Sequence, residues 1–206
     1  MALPEAPAPM SDFFALLDEP RRPWLDADSL KHKFLTLSAA VHPDRTHNAA
    51  AAEKLATNQR YTELNAAYNC LREPKDRLRH LLELELGKKP SDLTNVPDDL
   101  MDLFFEAAKT FRETDAFLAE KTKATSPLLQ VALFERGQDW VEKLGGLRQK
   151  IAVRRDSLLE ELQGVDAVWE TAALKPLERL LEVWRLLSFY ERWLAQIQER
   201  VVQLSF

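Results

Sequence analysis

Two residues able to move a proton, His42 and Asp44, flank Pro43. An imidazole and a carboxylate at that spacing could serve a general acid/base reaction, which would make the chain a small all-α hydrolase. Such a reaction needs further groups: a nucleophile, a second carboxylate or a metal set. None accompanies the pair. The single cysteine, Cys70, excludes an internal disulfide framework and any Cys-rich zinc or iron–sulfur site, and reads as an ordinary core cysteine. No cofactor and no bound metal is implied. The same residues also suit docking. An exposed carboxylate can meet an arginine in a charge-assisted bond. Lys31, Lys33 and Arg45 can steer encounter with an acidic face. One given tripeptide arises by chance in a chain this long on the order of one time in a hundred, so the flanks must decide.

Proline fixes its own φ, removes a donor and pushes the preceding residue out of the helical region. A helix reaching Val41-His42-Pro43 therefore stops and presents His42 and Asp44 on an exposed turn. Asp26 is the expected N-cap of that helix. Leu30, Phe34, Leu37 and Val41 recur at i, i+4, i+7 and i+11 and give it one buried face. Lys31, Leu35 and Ser38 follow a neighbouring line that leads to His42. Arg45 to Asn48 continues the loop. Ala49 to Ala52 starts the next helix, whose stripe is Tyr61, Leu64, Tyr68 and Leu71. A short loop predicts that the two pack antiparallel. Ser11 is the expected cap of a short helix over Asp12 to Leu17. Pro74 opens a leucine-rich helix that runs to Leu86 and is closed by Gly87.

Two prolines, Ser91, Thr94 and Asn95 mark residues 88–97 as a linker. Beyond it, a helix starts at Asp98 or Asp99 and runs to about Lys121. A second spans Pro127 to Gln163, with Gly137 and the pair Gly145-Gly146 as sites for a kink or break. Residues 164–166 suggest a tight turn. The last helical stretch, Val168 to Gln203, restarts or kinks at Pro176. Its seam is Leu180, Leu187, Tyr190, Leu194, Ile197, Val201 and Leu204. Centring that seam on Leu187 and Leu194 sends Phe189 and Trp193 to roughly the opposite side, where they either face water as a partner site or contact the N-terminal module or another helix. Leu100, Met101, Leu103, Phe104 and Phe105 are too apolar for one stripe. An exposed apolar patch marks a partner site.

The 206 residues suit one large or two small domains. Apolar residues make up 46%, enough for a core, and only five glycines occur. The composition is all-α. A net charge of −5 argues against nucleic acid as a partner. No run is long enough to span a membrane, so no membrane partner is expected. Residues 1–10 read as a disordered tail, neither signal nor transit peptide. A reducing compartment, the cytoplasm, fits the cysteine usage.

Lys31-His32-Lys33, His42-Pro43-Asp44, Asn65-Ala66-Ala67-Tyr68 and Leu71 to Arg77 together resemble a J-domain. That family comprises co-chaperones of DnaK-class ATPases. The leucine-rich continuation Arg77 to Gly87 and the stretch Trp184 to Leu194 resemble the HscB-type J-proteins of iron–sulfur cluster assembly. So does the absence of a glycine/phenylalanine region, of zinc-binding cysteines and of an N-terminal cysteine-pair extension. The resemblance implies a J-domain over 11–87, a linker over 88–97 and a three-helix domain over 98–206. It implies that His42, Pro43, Asp44, Arg45, Lys31 and Lys33 dock on a DnaK/HscA-class chaperone. It implies that Leu100, Met101, Phe104, Phe105, Phe189 and Trp193 bind the cluster scaffold protein. The chain would then be no enzyme. Leu78 stands where the family has alanine, and His80 where it has tyrosine. Ser38-Ala39-Ala40 replaces common basic residues, and the helix from Leu100 lacks the family's charged half. A J-protein with a different client or a general folding role is the alternative.

Overall fold

The computed structural model describes residues 11–46, 49–91, 97–172 and 174–205, without the side chain of Asp99. The expected tail (1–10), the end of the loop (47–48) and most of the linker (92–96) lie outside the described residues. Every regular element among the described residues is helical.

Asp12, not Ser11, caps α1 (Phe13–Leu16), accepting from the backbone N–H groups of Phe14 and Ala15. A carboxylate one residue later matches the donors because the helix itself starts one residue later. α2 (Ala27–Ala40) is capped by Asp26, which accepts from the Ser29 N–H. A 3₁₀ turn (Pro43–Thr46) follows, where an open loop was expected. α3 (Ala51–Arg72) and α4 (Pro74–Leu86) meet at Glu73, with Pro74 at the start of α4. Gly87 ends α4 at φ +66°, the left-handed region that favours glycine.

The chain forms two compact units. The first comprises Met1–Pro90 and Glu161–Trp184. Phe34 stacks on Tyr68 at 4.3 Å between ring centroids, and His42 meets Tyr61 at 5.4 Å. Position rises along α2 as it falls along α3, so the pair is antiparallel. Phe14, Leu17, Leu30, Leu64, Ala67, Leu71, Leu78 and Leu81 form its core. Two polar side chains enter that core with partners. Arg77 donates to the carbonyls of Pro23 at 2.9 Å and Leu71 at 2.6 Å, and burial lowers its pKa to about 10, still charged at neutral pH. His80 accepts the Phe13 N–H on Nε2 at 3.0 Å and stacks on that residue's ring at 4.5 Å.

Burial pushes the His80 imidazole below its ordinary 6.5. Protonation would destroy the acceptor that Phe13 needs, so the folded state binds the proton less well than the unfolded chain. The contribution is complete above pH 6.5 and is lost as pH falls below it toward the depressed folded value. Urea melts at pH 7.5 and 5.5 are expected to separate, with the wild type losing more stability on acidification than a His80→Phe variant. Equal losses would exclude this role.

The segment 161–184 is fastened to the residues after α1. Asp166 accepts from the Arg22 guanidinium at 2.9 Å and from the Trp24 N–H at 3.1 Å. The Trp169 indole donates to the Arg21 carbonyl at 2.8 Å, and Lys175 pairs with Glu85 at 2.7 Å.

The second unit comprises Ser91–Glu160 and Arg185–Phe206. It holds α5 (Met101–Lys121), entered through a 3₁₀ turn (Asp98–Leu100), with parts of α6 (Pro127–Ala167) and α7 (Leu177–Ser205). Lys150–Glu106 and Arg136–Glu120 place α6 antiparallel to α5, while Arg200–Asp115 and Lys121 with the Leu204 carbonyl place α7 parallel to it. α6 runs unbroken through Gly137, Gly145, Gly146 and the expected turn at 164–166. Each glycine costs a helix about 1 kcal/mol, but Leu133, Leu144, Leu147, Ile151, Leu158 and Leu162 bury one continuous face that outweighs this. A Cβ on Gly137 would sit 3.8 Å from the Phe117 ring, so this glycine lies against its neighbour. Turns at 168–171 and Pro176 separate α6 from α7, which therefore begins later than Val168.

Candidate functional site

The turn after α2 is built by local bonds. The Arg45 N–H donates to the His42 carbonyl at 3.0 Å, and the Thr46 hydroxyl to the Pro43 carbonyl at 3.0 Å. The Arg45 guanidinium folds back to the Ala39 carbonyl at 3.1 Å, where α2 would otherwise leave an orphan acceptor. Tyr61 supports the His42 ring edge-on from α3. Periodicity placed Tyr61 in the core stripe; it is half-buried and props the turn as well.

The His42 Nδ1 accepts the Asp44 N–H at 3.3 Å. The neutral ring then carries its proton on Nε2. Asp44 Oδ2 lies 3.5 Å from the same nitrogen, a weak contact, and the Asp44 side chain is 91% exposed. No group of three or more His, Cys, Asp or Glu that could hold a metal occurs among the described residues. Cys70 is half-buried, donates weakly to the Asp76 carbonyl, and is pushed up to about 11 by burial, so it offers no thiolate. The turn can dock; it holds no reacting set.

The cations divide. Lys31 is exposed, with no ion pair among the described residues. Lys33 pairs with Glu19 at 3.0 Å and donates to the Asp18 carbonyl at 2.9 Å, which ties α2 to the end of α1. Lys33 is thus committed inside the unit, while Lys31 is left facing outward. Leu35 is exposed, while Ser38 is buried and bonded to the Leu35 carbonyl.

The apolar patch of the second unit is narrower than expected. Phe105 is 59% exposed, and Met101, Phe104 and Phe189 are half-buried. Leu100 is 1% exposed and Trp193 only 6%, so neither faces water. Tyr190 and Ile197 are fully buried whereas Leu194 is half-buried. The buried face of α7 is thus rotated toward Tyr190 and Ile197, and the rotation carries Trp193 inward. Its ring centroid lies 6.3 Å from Phe104, 5.9 Å from Phe189 and 6.2 Å from Tyr190. These rings floor a groove of about 280 Å³ lined by Phe104, Ala108, Phe111, Phe189, Arg192 and Trp193.

No protein-family model matches the chain. The co-chaperone protein HscB homologue of Bordetella petrii is 31% identical over 137 residues, 61% of this chain and 80% of that protein. The homologue of Paraburkholderia phytofirmans is 44% identical over 71 residues, 34% of this chain and 41% of that protein, and the stretch matched is thus under half of that relative's length. The chaperone HscB from Vibrio cholerae superposes with a TM-score of 0.63 at 21% identity, covering 94% of this chain and 99% of that one. The human co-chaperone protein HscB gives 0.57 at 22% identity, covering 96% and 84%. At these identities the two structures establish a shared fold. With a relative of which four fifths is matched, the chain belongs to the HscB co-chaperone family.

Proposed function

We propose that the chain is a co-chaperone that stimulates a DnaK/HscA-class ATPase and brings it the iron–sulfur cluster scaffold protein. The observation that carries the first half is the Asp44 carboxylate, almost wholly exposed on a turn braced by Tyr61 and Arg45. His42, Pro43, Asp44 and Arg45 form the docking turn, and Lys31 supplies the free positive charge beside it. Lys33 acts by holding α2 to α1. The chaperone-facing role falls to residues 11–87 and the client-facing role to 98–206, with 88–97 between them. The chain contributes no catalytic group. It acts by binding the chaperone's hydrolysis-competent state better than its resting state, which shifts the population. No helix among the described residues is long and apolar enough to cross a membrane, and the cytoplasm is the proposed compartment.

The client half rests on Phe105 and the groove behind it. Phe104, Phe105, Phe189 and Met101 supply the contact surface; Leu100 and Trp193 support it from beneath. Adding purified scaffold protein to chain and chaperone is expected to raise the ATPase rate above that with the chain alone. Phe105→Ala should remove most of that increment and leave stimulation by the chain itself intact. If scaffold adds nothing to the wild type, the client is another protein, and the lost charged half of α5 favours that second reading.

A further inference from the structure

Two arginines, Arg192 on α7 and Arg112 on α5, stand beside the α5–α7 groove. Arg192 lines the groove and lies 5.9 Å from the centroid of the Phe189 ring. Along α5, Phe105 is followed two turns later by the exposed Arg112; Ala108, three residues after Phe105, lines the groove. Arg112 and Arg192 have no ion pair with a carboxylate among the described residues. The acids of the same stretch are occupied or turned away. Glu106 binds Lys150, and Asp115 binds Arg200. Asp102 and Glu113 sit roughly a quarter-turn round α5 from the Phe105–Arg112 line, on the side that also carries Lys109. Glu199, two turns beyond Arg192, is the exposed acid nearest the far end.

Two guanidiniums beside an aromatic floor, against the single acid Glu199, define the chemistry of what fits. An apolar side chain fills the groove, and carboxylates beside it meet the two guanidiniums in charge-assisted bonds. We propose that this groove recognises a partner segment in which an apolar anchor is flanked by aspartate or glutamate. The inference rests on the groove being the client site and names the partner surface that site selects. The chain as a whole carries a net charge of −5. Bulk charge alone would favour a basic segment, so a preference for an acidic one has to come from these two arginines.

The test uses the full chain and two labelled synthetic peptides that share two central leucines and differ only in flanks of Asp/Glu or of Lys/Arg. Anisotropy titrations at low salt are expected to give at least tenfold tighter binding of the acidic peptide, with the difference shrinking as salt rises. Arg112→Glu combined with Arg192→Glu should reverse the preference, and Phe105→Ala should weaken binding at every salt concentration. A circular dichroism spectrum and thermal melt matching the wild type certify that the double variant is folded. Equal binding of the two peptides, or preference for the basic one, overturns the inference. Failure of the scaffold to add to the ATPase rate while the acidic peptide is still preferred would instead remove the proposed client and leave the groove chemistry standing.

Discussion

Trp169→Ala is expected to lower the stability of the folded chain by about 3–5 kcal/mol, the usual loss for a large aromatic removed from a core. Trp169 is 1% exposed. Its indole N–H is held by the Arg21 carbonyl, and the Lys175 ammonium lies over its ring at 5.0 Å. Truncation removes the packing, strips the Arg21 carbonyl of its donor and loosens Lys175 from Glu85. Against a total of roughly 5–15 kcal/mol, this is a large fraction. The melting temperature should fall by on the order of 10 °C. Amide exchange should accelerate first in residues 20–25 and 161–184, which the indole and the Arg22–Asp166 pair hold together. A variant that melts with the wild type would show that segment 161–184 contributes nothing to the unit.

Asp44→Ala is expected to leave stability within about 0.5 kcal/mol of wild type, as for an exposed surface residue, and to reduce stimulation of the chaperone by at least tenfold. The two effects separate because the side chain has little to do inside the molecule. The backbone N–H of residue 44, not its carboxylate, fixes the His42 ring, and alanine keeps that bond. What is lost is a carboxylate offered to a partner. A hydrogen bond to a charged group contributes about 1.5–3 kcal/mol, and each 1.4 kcal/mol is a factor of ten. Circular dichroism and a thermal melt establish the unchanged fold, and the ATPase rate reads the loss.

The local signals in the chain proved dependable where one residue type controls one bond. Asp26 caps α2, Pro74 opens α4, Gly87 takes the left-handed conformation, and Pro43 stops the helix before the turn. The antiparallel pairing of α2 with α3 followed from the shortness of the loop and is seen in Phe34 on Tyr68. Long-range features left no such trace. Arg22 and Asp166 are separated by 144 positions and neither stands in a motif. The glycines in α6 signalled a break that tertiary burial overrode. On α7 the apolar residues occupy more than one stripe, since Val183, Trp184 and Leu186 are buried beside Leu180 and Leu187. A seam drawn from spacing alone was misrotated for that reason, and it left open whether Trp193 faces water or another helix; Trp193 is buried. The two arginines beside the groove were legible residue by residue but not as one surface, because Arg112 stands on α5 and Arg192 on α7, eighty positions later.

The exposed turn is the centre of the proposed function. The direct measurement is the steady-state ATPase rate of the cognate DnaK/HscA-class chaperone titrated with the intact chain and with its Asp44→Ala variant. The wild type should raise the rate saturably, and the variant, folded and at the same concentrations, should leave it near the basal value. Equal stimulation by the two proteins, or none by the wild type, would contradict the assignment of this turn as the chaperone-docking site.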